Sequence, residues 1–286
     1  MRYLFTADIH LRTTRPVCRT DDWDEFQTNR FRAIYDTARL HKCNAVVIVG
    51  DLFDNPNPSE KLLHLVLTTI TSYGIMTVVM VGNHDVPYHA LQHLADTKIA
   101  LLGYHPLVKF LTPEPGHGID FVSSYDGVRL IHELTFERDE DIPATVKAHT
   151  ADDWLKEFPD DDLIVCGDMH RPFSKTVDER TVINCGHIAC QKVSERYKSG
   201  VWVVDDYEGK IEYIEFPSDL EFVSTDHIDE KIEKDNRFSN LVSVLDNKNQ
   251  EVTGLDFLSK VKEKCDALDN GKEIYSLVLD TLEERN

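Results

Sequence analysis

Long apolar runs are missing from this chain of 286 residues. No stretch approaches the roughly 18 uncharged residues that a membrane helix requires, which argues against a membrane-embedded protein. The first residues, Arg2-Tyr3-Leu4-Phe5-Thr6, lack the basic and apolar regions of a secretory leader, so a cytoplasmic location is expected. Cysteine pairs with functional spacing are missing too. The six cysteines (Cys18, Cys43, Cys166, Cys185, Cys190 and Cys265) include no CxxC pair and no zinc-finger spacing, so reduced thiols are expected. Cys185 and Cys190 could offer two thiolates, but two alone do not fill a tetrahedral zinc site. Positive charge is also short, with 31 Lys and Arg against 51 Asp and Glu and a formal net charge of -20. Such a surface repels phosphates and forgoes the counterion release that drives DNA affinity. A polyanionic substrate would therefore need metals, local basic patches or a partner to supply the positive field. Neither an internal repeat nor a low-complexity segment is visible.

What is present is a hydrophobic fraction of 41%, ample for a full core. Apolar, β-branched runs of strand length recur at Tyr3 to Thr6, Ala45 to Val49, Thr77 to Val81, Val128 to Ile131, Leu163 to Cys166, Val182 to Asn184 and Val201 to Val204. Between the first two, Asp24 to His41 carries Phe26, Phe31, Ile34, Tyr35 and Ala38 at helical spacing. A second helix is punctuated by Asn57 as N-cap, Pro58 at its first position, Glu60 in its first turn and Gly74 as its stop. This alternation predicts an α/β architecture with helices packed on central sheet structure. Around Phe216-Pro217-Ser218 the character changes, and residues 218–286 are rich in Asp, Glu and Lys. The expected organisation is a large domain over 1–217 and a small α+β domain over 218–286. Strands are expected there near Leu241 to Leu245 and Ile274 to Leu279, with a helix from Leu255 to Leu268.

Polar donors follow the strands. Asp8-Ile9-His10, Gly50-Asp51, Gly82-Asn83-His84-Asp85, Ile131-His132 and Gly167-Asp168-Met169-His170 each sit at the end of an apolar run. All five strands therefore deliver a donor from the carboxyl-terminal end, where open α/β sheets place their ligands. Asp8 and His10 are two apart, which keeps both side chains on one side if the backbone stays extended. Gly50 and Gly82 suit loops that turn sharply out of a strand. A plainer account is that Asp and Gly after strands simply make turns. That explains Asp51 but not His10, Asn83, His84 and His170. Carboxylate, amide and imidazole donors in this arrangement suit two divalent cations at a phosphoester.

In this order, DIH, GDLFD, GNHD, a strand ending in His132 and GDMH, the chain resembles the calcineurin-like metallophosphoesterases over Met1 to about Pro217. Within them, DIHL and GDLFDNPNPS look like the SbcD type of DNA double-strand-break repair nuclease, which partners an SbcC-type coiled-coil ATPase. The resemblance implies a two-layered central β-sheet core flanked by helices, with residues 218–286 as a capping domain. It implies one metal held by Asp8, His10, Asp51 and His170, and a second held by Asp51, Asn83, His132 and the residue at 168, with Asp51 bridging. Two Mn²⁺ ions are expected, with Mg²⁺ also suited to such donors. Cations about 4 Å apart activate a shared water and clamp the phosphate oxygens. His84 is expected to protonate the leaving group, oriented by Asp54 or Asp85, with Asp54 preferred. Arg12 and Arg171 follow ligand motifs directly and are candidates to meet the phosphate backbone. His149 rivals His132 but lacks a preceding strand. His105, His117 and His187 lack matching context, and His187 is read as part of a substrate-side or structural loop. The family motif usually reads GHxH, and here Asp168 replaces the first histidine. This predicts a retained second metal site that is less zinc-like, with a weakened site as the rival reading.

The resemblance implies a DNA nuclease, a 3′ to 5′ exonuclease with single-strand endonuclease activity as a further option, acting in DNA recombination or repair. DNA and an SbcC-type ATPase are its expected partners, and self-association is left open. A phosphomonoesterase or small-molecule phosphodiesterase of the same fold suits the negative charge better. A catalytically silent subunit is the third reading, favoured by Asp168 and opposed by the intact GNHD.

Overall fold

The computed structural model describes residues 1–113 and 121–228, together with Lys262, Cys265, Asp266 and Tyr275. The apolar runs become strands, which in chain order are β1 (Arg2–Thr6), β2 (Ala45–Val49), β3 (Met76–Met80), β4 (Val108–Leu111), β5 (Val122–Tyr125) and β6 (Val128–His132). They continue as β7 (Thr135–Phe136), β8 (His149–Thr150), β9 (Leu163–Gly167), β10 (Phe173–Val177), β11 (Arg180–Asn184), β12 (Gly200–Asp205) and β13 (Lys210–Glu215). Three α-helices accompany them among the described residues: α1 (Trp23–Leu40), α2 (Glu60–Tyr73) and α3 (Ala151–Glu157).

Two larger sheets form. One has six strands in the order β13-β12-β1-β2-β3-β4, and the other has five in the order β10-β11-β9-β6-β5. Strands β1 to β4 run parallel, as do β6, β9 and β11, while the flanking strands are antiparallel. Because strand side chains alternate between faces, each run feeds two cores. Tyr3, Phe5, Val47, Val49, Val78 and Met80 meet Val128, Leu130, Val165 and Ile183 between the sheets. The other face of the six-stranded sheet, with Leu4, Val46 and Ile48, packs on Phe31, Ile34 and Tyr35 of α1 and on Leu62, Val66 and Ile70 of α2. The other face of the five-stranded sheet, with Ile131, Ile164 and Val182, packs on Trp154 and Leu155 of α3. The expected two-layered sheet core flanked by helices is the architecture observed.

Strands β4, β5, β10 and β13 escaped the sequence reading because polar residues interrupt each of them, as in Lys210-Ile-Glu-Tyr-Ile-Glu215, and leave no continuous apolar run. Helix α2 ends where expected, with Gly74 in the left-handed conformation at φ 65° and its N–H on Ile70 O. Its beginning differs from expectation. Ser59 is the N-cap, its side chain accepting from Leu62 N, while the Asn57 N–H is engaged in a turn with Asn55 Oδ1 at 3.0 Å.

The chain divides into two compact units, Met1–Ser224 and Thr225–Asn286. The first continues past Pro217 because the chain returns to the segment before α1. There Ser224 N donates to Cys18 O at 2.7 Å, Thr20 N donates to Phe222 O at 3.0 Å, and Arg19 bridges Val223. In the second unit, Lys262, Cys265 and Asp266 are helical, in line with the expected helix, and Tyr275 is helical where a strand was expected. The expected strand at 241–245 lies outside the described residues.

The N-cap assignment predicts that Ser59→Ala lowers unfolding free energy by about 1 kcal/mol, read from urea midpoints, while Asn57→Ala leaves the midpoint nearly unchanged. The reverse order would restore Asn57 as the cap.

Candidate metal centre

The ligand loops are built on backbone that most residues avoid. Asp8, His10, Asp51 and Asp168 adopt φ of 50°, 46°, 52° and 77°, at a cost of about 1–3 kcal/mol each unless the surroundings hold them. Main-chain hydrogen bonds do so. Ile9 N and His10 N both donate to Asp51 O, at 2.9 and 3.0 Å, and Leu11 N donates to Leu52 O at 3.0 Å. The loops after β1 and β2 are thus zipped together. The extended geometry expected for Asp8 and His10 is replaced by this turn, which still brings both side chains to the cluster.

His132 occupies a slot made by glycines. A Cβ on Gly50 would lie 2.1 Å from His132 Nδ1, one on Gly82 2.6 Å from its Nε2, and one on Gly167 2.6 Å from its Nδ1. Gly50 also needs its positive φ of 86°. Gly82, with φ -108° and ψ -177°, is required for space and not for backbone angle. In this slot His132 Nδ1 donates to Val49 O at 2.8 Å, which aims Nε2 at Asp51 Oδ2, 3.3 Å away, and at the Asn83 side chain, 3.2 Å away.

The remaining donors close on the same point. His10 Nε2 lies 3.6 Å from Asp51 Oδ2, 3.9 Å from Asp8 Oδ1 and 3.3 Å from His170 Nε2. His170 Nε2 is 3.8 Å from Asp8 Oδ1. Groups able to hold a cation, with donor atoms within 4.8 Å of one another, are Asp8-His10-His170, His10-Asp51-His84, Asp8-Asp51-His132 and His170-His187-Glu195 among the described residues. Asp51 Oδ2 lies 3.6 Å from His10 Nε2 and 3.3 Å from His132 Nε2, between the two halves of the cluster, as a bridging carboxylate would. Burial pushes the Asp8 carboxyl up to about 7 and the His10 imidazole down to about 3. Burial also opposes ionisation of Asp51, but the neighbouring His132 holds it below the usual range.

The donor set fits divalent cations on its own chemistry. Imidazole and carboxylate donors converge on one buried volume: His10 Nε2 and His170 Nε2 face each other at 3.3 Å, His132 Nε2 faces Asp51 Oδ2 at 3.3 Å, and His10 Nδ1 is buried without a hydrogen-bond partner. With its amide nitrogen turned inward, Asn83 would donate to Asp51 at 3.2 and 3.3 Å; with its oxygen inward it would meet a cation. Asp168 takes a different part. Its N–H donates to both Asp8 oxygens, at 3.2 and 3.0 Å, and the residue lines the adjoining cleft without joining any of these groups.

His84 stands beside the cluster, its ring edge-on to His10 at 4.8 Å and its N–H on Asp51 Oδ1 at 2.9 Å. His84 Nδ1 donates to the main-chain oxygen of Asp54 at 3.1 Å. Asp54 is therefore the orienting residue, but through its carbonyl, while its carboxylate faces Arg12 Nη1 at 3.4 Å. Asp85 is buried and accepts from Gly82 N, Leu52 N and Phe53 N at 3.0, 3.3 and 2.9 Å, a clamp between loops. Arg12 lines the cleft, whereas Arg171 is exposed and outside its lining. His149 stacks on Trp154 at 4.1 Å, and His105 meets Thr71 at the surface. His117 lies outside the described residues. All six cysteines are free, and none joins a ligand group among the described residues.

Sequence reasoning missed Glu195. Its carboxylate accepts from His170 Nδ1 at 2.8 Å, fixing the tautomer that aims Nε2 at the cluster. Against the cost of burial, His170 and Lys192 hold Glu195 down to about 2. A cleft of about 400 Å³ opens here, lined by His10, Asp51, His84 and His170 on one side and by residues of the 187–197 loop on the other.

A two-sheet α/β domain with such donors at the strand ends is the framework of a metal-dependent phosphoester hydrolase. The chain belongs to the calcineurin-like phosphoesterase family, whose pattern matches residues 1–203. No curated protein matches the chain. Among solved structures, an archaeal phosphodiesterase is 12% identical with a TM-score of 0.42, the match covering 76% of this chain and 100% of that one. Zinc-bound Vps29 from Entamoeba histolytica is 13% identical with a TM-score of 0.38, with coverage of 76% and 100%. No helix among the described residues is long and apolar enough to cross a membrane.

If Glu195 orients His170, Glu195→Ala weakens Mn²⁺ binding by about 10–100-fold in titration calorimetry, while Lys192→Ala changes it little. Equal affinities in wild type and Glu195→Ala would remove Glu195 from this role.

Proposed function

We propose that this chain is a two-metal DNA nuclease of the SbcD type. The observation that supports it best is the placement of His84, anchored through Nδ1 on the Asp54 carbonyl beside a cluster in which Asp51 Oδ2 lies between His10 and His132. In this reading Asp8, His10, Asp51 and His170 would hold one cation and Asp51, Asn83 and His132 the other, with Asp168, the ligand expected from the motif, lining the cleft beside them. When bound, the two cations supply positive charge that polarises the phosphodiester and activates water. Mn²⁺ or Mg²⁺ suits the carboxylate and amide share of the set.

The chain's own residues then account for the proton. As imidazolium, His84 keeps Nδ1–H on Asp54 O and offers Nε2–H to the departing alkoxide as the P–O bond breaks. After transfer it remains as the Nδ1–H tautomer with its partner still satisfied, so no reorientation is needed. Arg12 lies on the cleft wall as a donor for a phosphate oxygen. A partner such as an SbcC-type ATPase would offset the net charge of -20. That same charge favours the second reading, a small-molecule phosphodiesterase built on the same site.

The test is substrate and metal together. Wild-type protein is expected to hold two Mn²⁺ per chain and to shorten end-labelled DNA, and His84→Ala to keep both metals while cleaving about 10²–10⁴-fold more slowly. Undiminished cleavage by His84→Ala would remove it as the acid. Hydrolysis of small esters without any DNA cleavage would favour the second reading.

A further inference from the structure

The cleft wall opposite the ligands carries an aromatic side chain that the chemistry above does not use. Tyr197 lines the cleft yet leaves 41% of its surface exposed. Its ring stands edge-on to His187 at 6.4 Å and 70°. His187 is buried and lies nearly parallel to His170, at 5.8 Å and 12°. A row of rings thus leads from His170 in the donor cluster through His187 to the half-exposed Tyr197. Ala189 and Lys192 of the same loop also line the cleft.

The loop that carries this wall is anchored to the ligand loops. Gln191 Nε2 donates to His10 O at 3.2 Å. Asp219 accepts from Arg19 Nη1 at 2.6 Å and from Cys190 N at 3.0 Å, and Glu195 holds His170. Tyr197 follows Glu195 by two positions, and its ring contact with His187, which lies against His170, places it beside the donor cluster.

Charge supplies the second line of argument. A chain with a net charge of -20 gains little of its own from counterion release, which gives uncharged contacts inside the cleft more weight in holding a nucleic acid. Stacking on an aromatic ring provides such contacts without dependence on base identity. A cleft of about 400 Å³ suits a single unpaired nucleotide, not a stacked duplex end. We propose that Tyr197 stacks the nucleobase attached to the phosphate at the cluster, so that the site accepts one unpaired nucleotide at a time. This inference rests on the nuclease reading.

The experiment compares wild type, Tyr197→Ala and Tyr197→Trp on three substrates: a single-stranded oligonucleotide, the same strand with an abasic terminal nucleotide, and bis(p-nitrophenyl) phosphate. Tyr197→Ala is expected to raise KM about tenfold, ~1.4 kcal/mol, on the normal strand alone, with kcat little changed, and Tyr197→Trp to restore it. A terminal 2-aminopurine should be quenched on binding to wild type and not to Tyr197→Ala. Equal KM for Tyr197→Ala and wild type on the normal strand, or equal loss on all three substrates, would overturn the role of Tyr197. Cleavage of the small ester with no cleavage of either strand by wild type would instead overturn the nuclease reading itself.

Discussion

One hydrogen bond joins the two sheets at the point on which the rest of the site depends: His132 Nδ1 on the carbonyl of Val49, at 2.8 Å. Over much of their facing area the sheets are separated by full side chains such as Phe5, Val47 and Leu130, as stacked sheets ordinarily are, and the Trp202 indole crosses between them to Asn184 O at 2.9 Å. At their carboxyl ends an imidazole must reach the main chain of the opposing sheet, and only glycine leaves room at 50, 82 and 167. The same approach brings the loop after β9 against the loop after β1, so that Asp168 N can reach Asp8. Metal donors from both sheets then share one volume. The glycines of GD, GNHD and GDMH are therefore packing residues for His132 as much as turn formers.

The parts of this arrangement that were legible in the sequence are those tied to a strand end. Asp8, Asp51, Asn83, His132 and His170 could be found because buried β-branched runs announce where strands stop, and a polar donor at that place has few purely structural explanations. The edge strands were harder because partial exposure breaks the apolar run. Atoms were harder still. Asp54 was identifiable as a partner of His84, but its carbonyl makes the contact, a choice set by the turn of the loop and invisible in side-chain chemistry. Glu195 and Tyr197 had no signal at all. They lie in a polar loop without flanking periodicity, and Glu195 reaches a histidine 25 residues away only because the fold brings that loop back.

Electrostatics tie the cluster to the rest of the chain. Buried carboxylates and imidazoles that oppose one another's charge are costly unless cations or hydrogen bonds satisfy them. Here some demands are met by protein groups: Glu195 for His170, Val49 O for His132, and Asp168 N for Asp8. What remains is a set of imidazole nitrogens and carboxylate oxygens converging on one buried volume. Beneath the cleft wall, the buried Arg19 guanidinium joins Asp21 and Asp219, and it also lies over the Phe26 ring at 4.1 Å. A fixed ion pair thus supports the wall from behind while the ligands are arranged in front.

The left-handed backbone at Asp8, His10, Asp51 and Asp168 restricts which amino acids can occupy the site over evolutionary time. Aspartate, asparagine and histidine tolerate that conformation far better than β-branched residues do, so each position answers to two selections at once, for a donor atom and for a dihedral angle. Short carboxylates satisfy both. Asp168 belongs to the same narrow alphabet as the histidine expected from the motif, and its left-handed turn is what delivers its N–H to Asp8. In this chain the backbone acts as an editor of the metal chemistry, admitting at these positions only residues that the turn will accept.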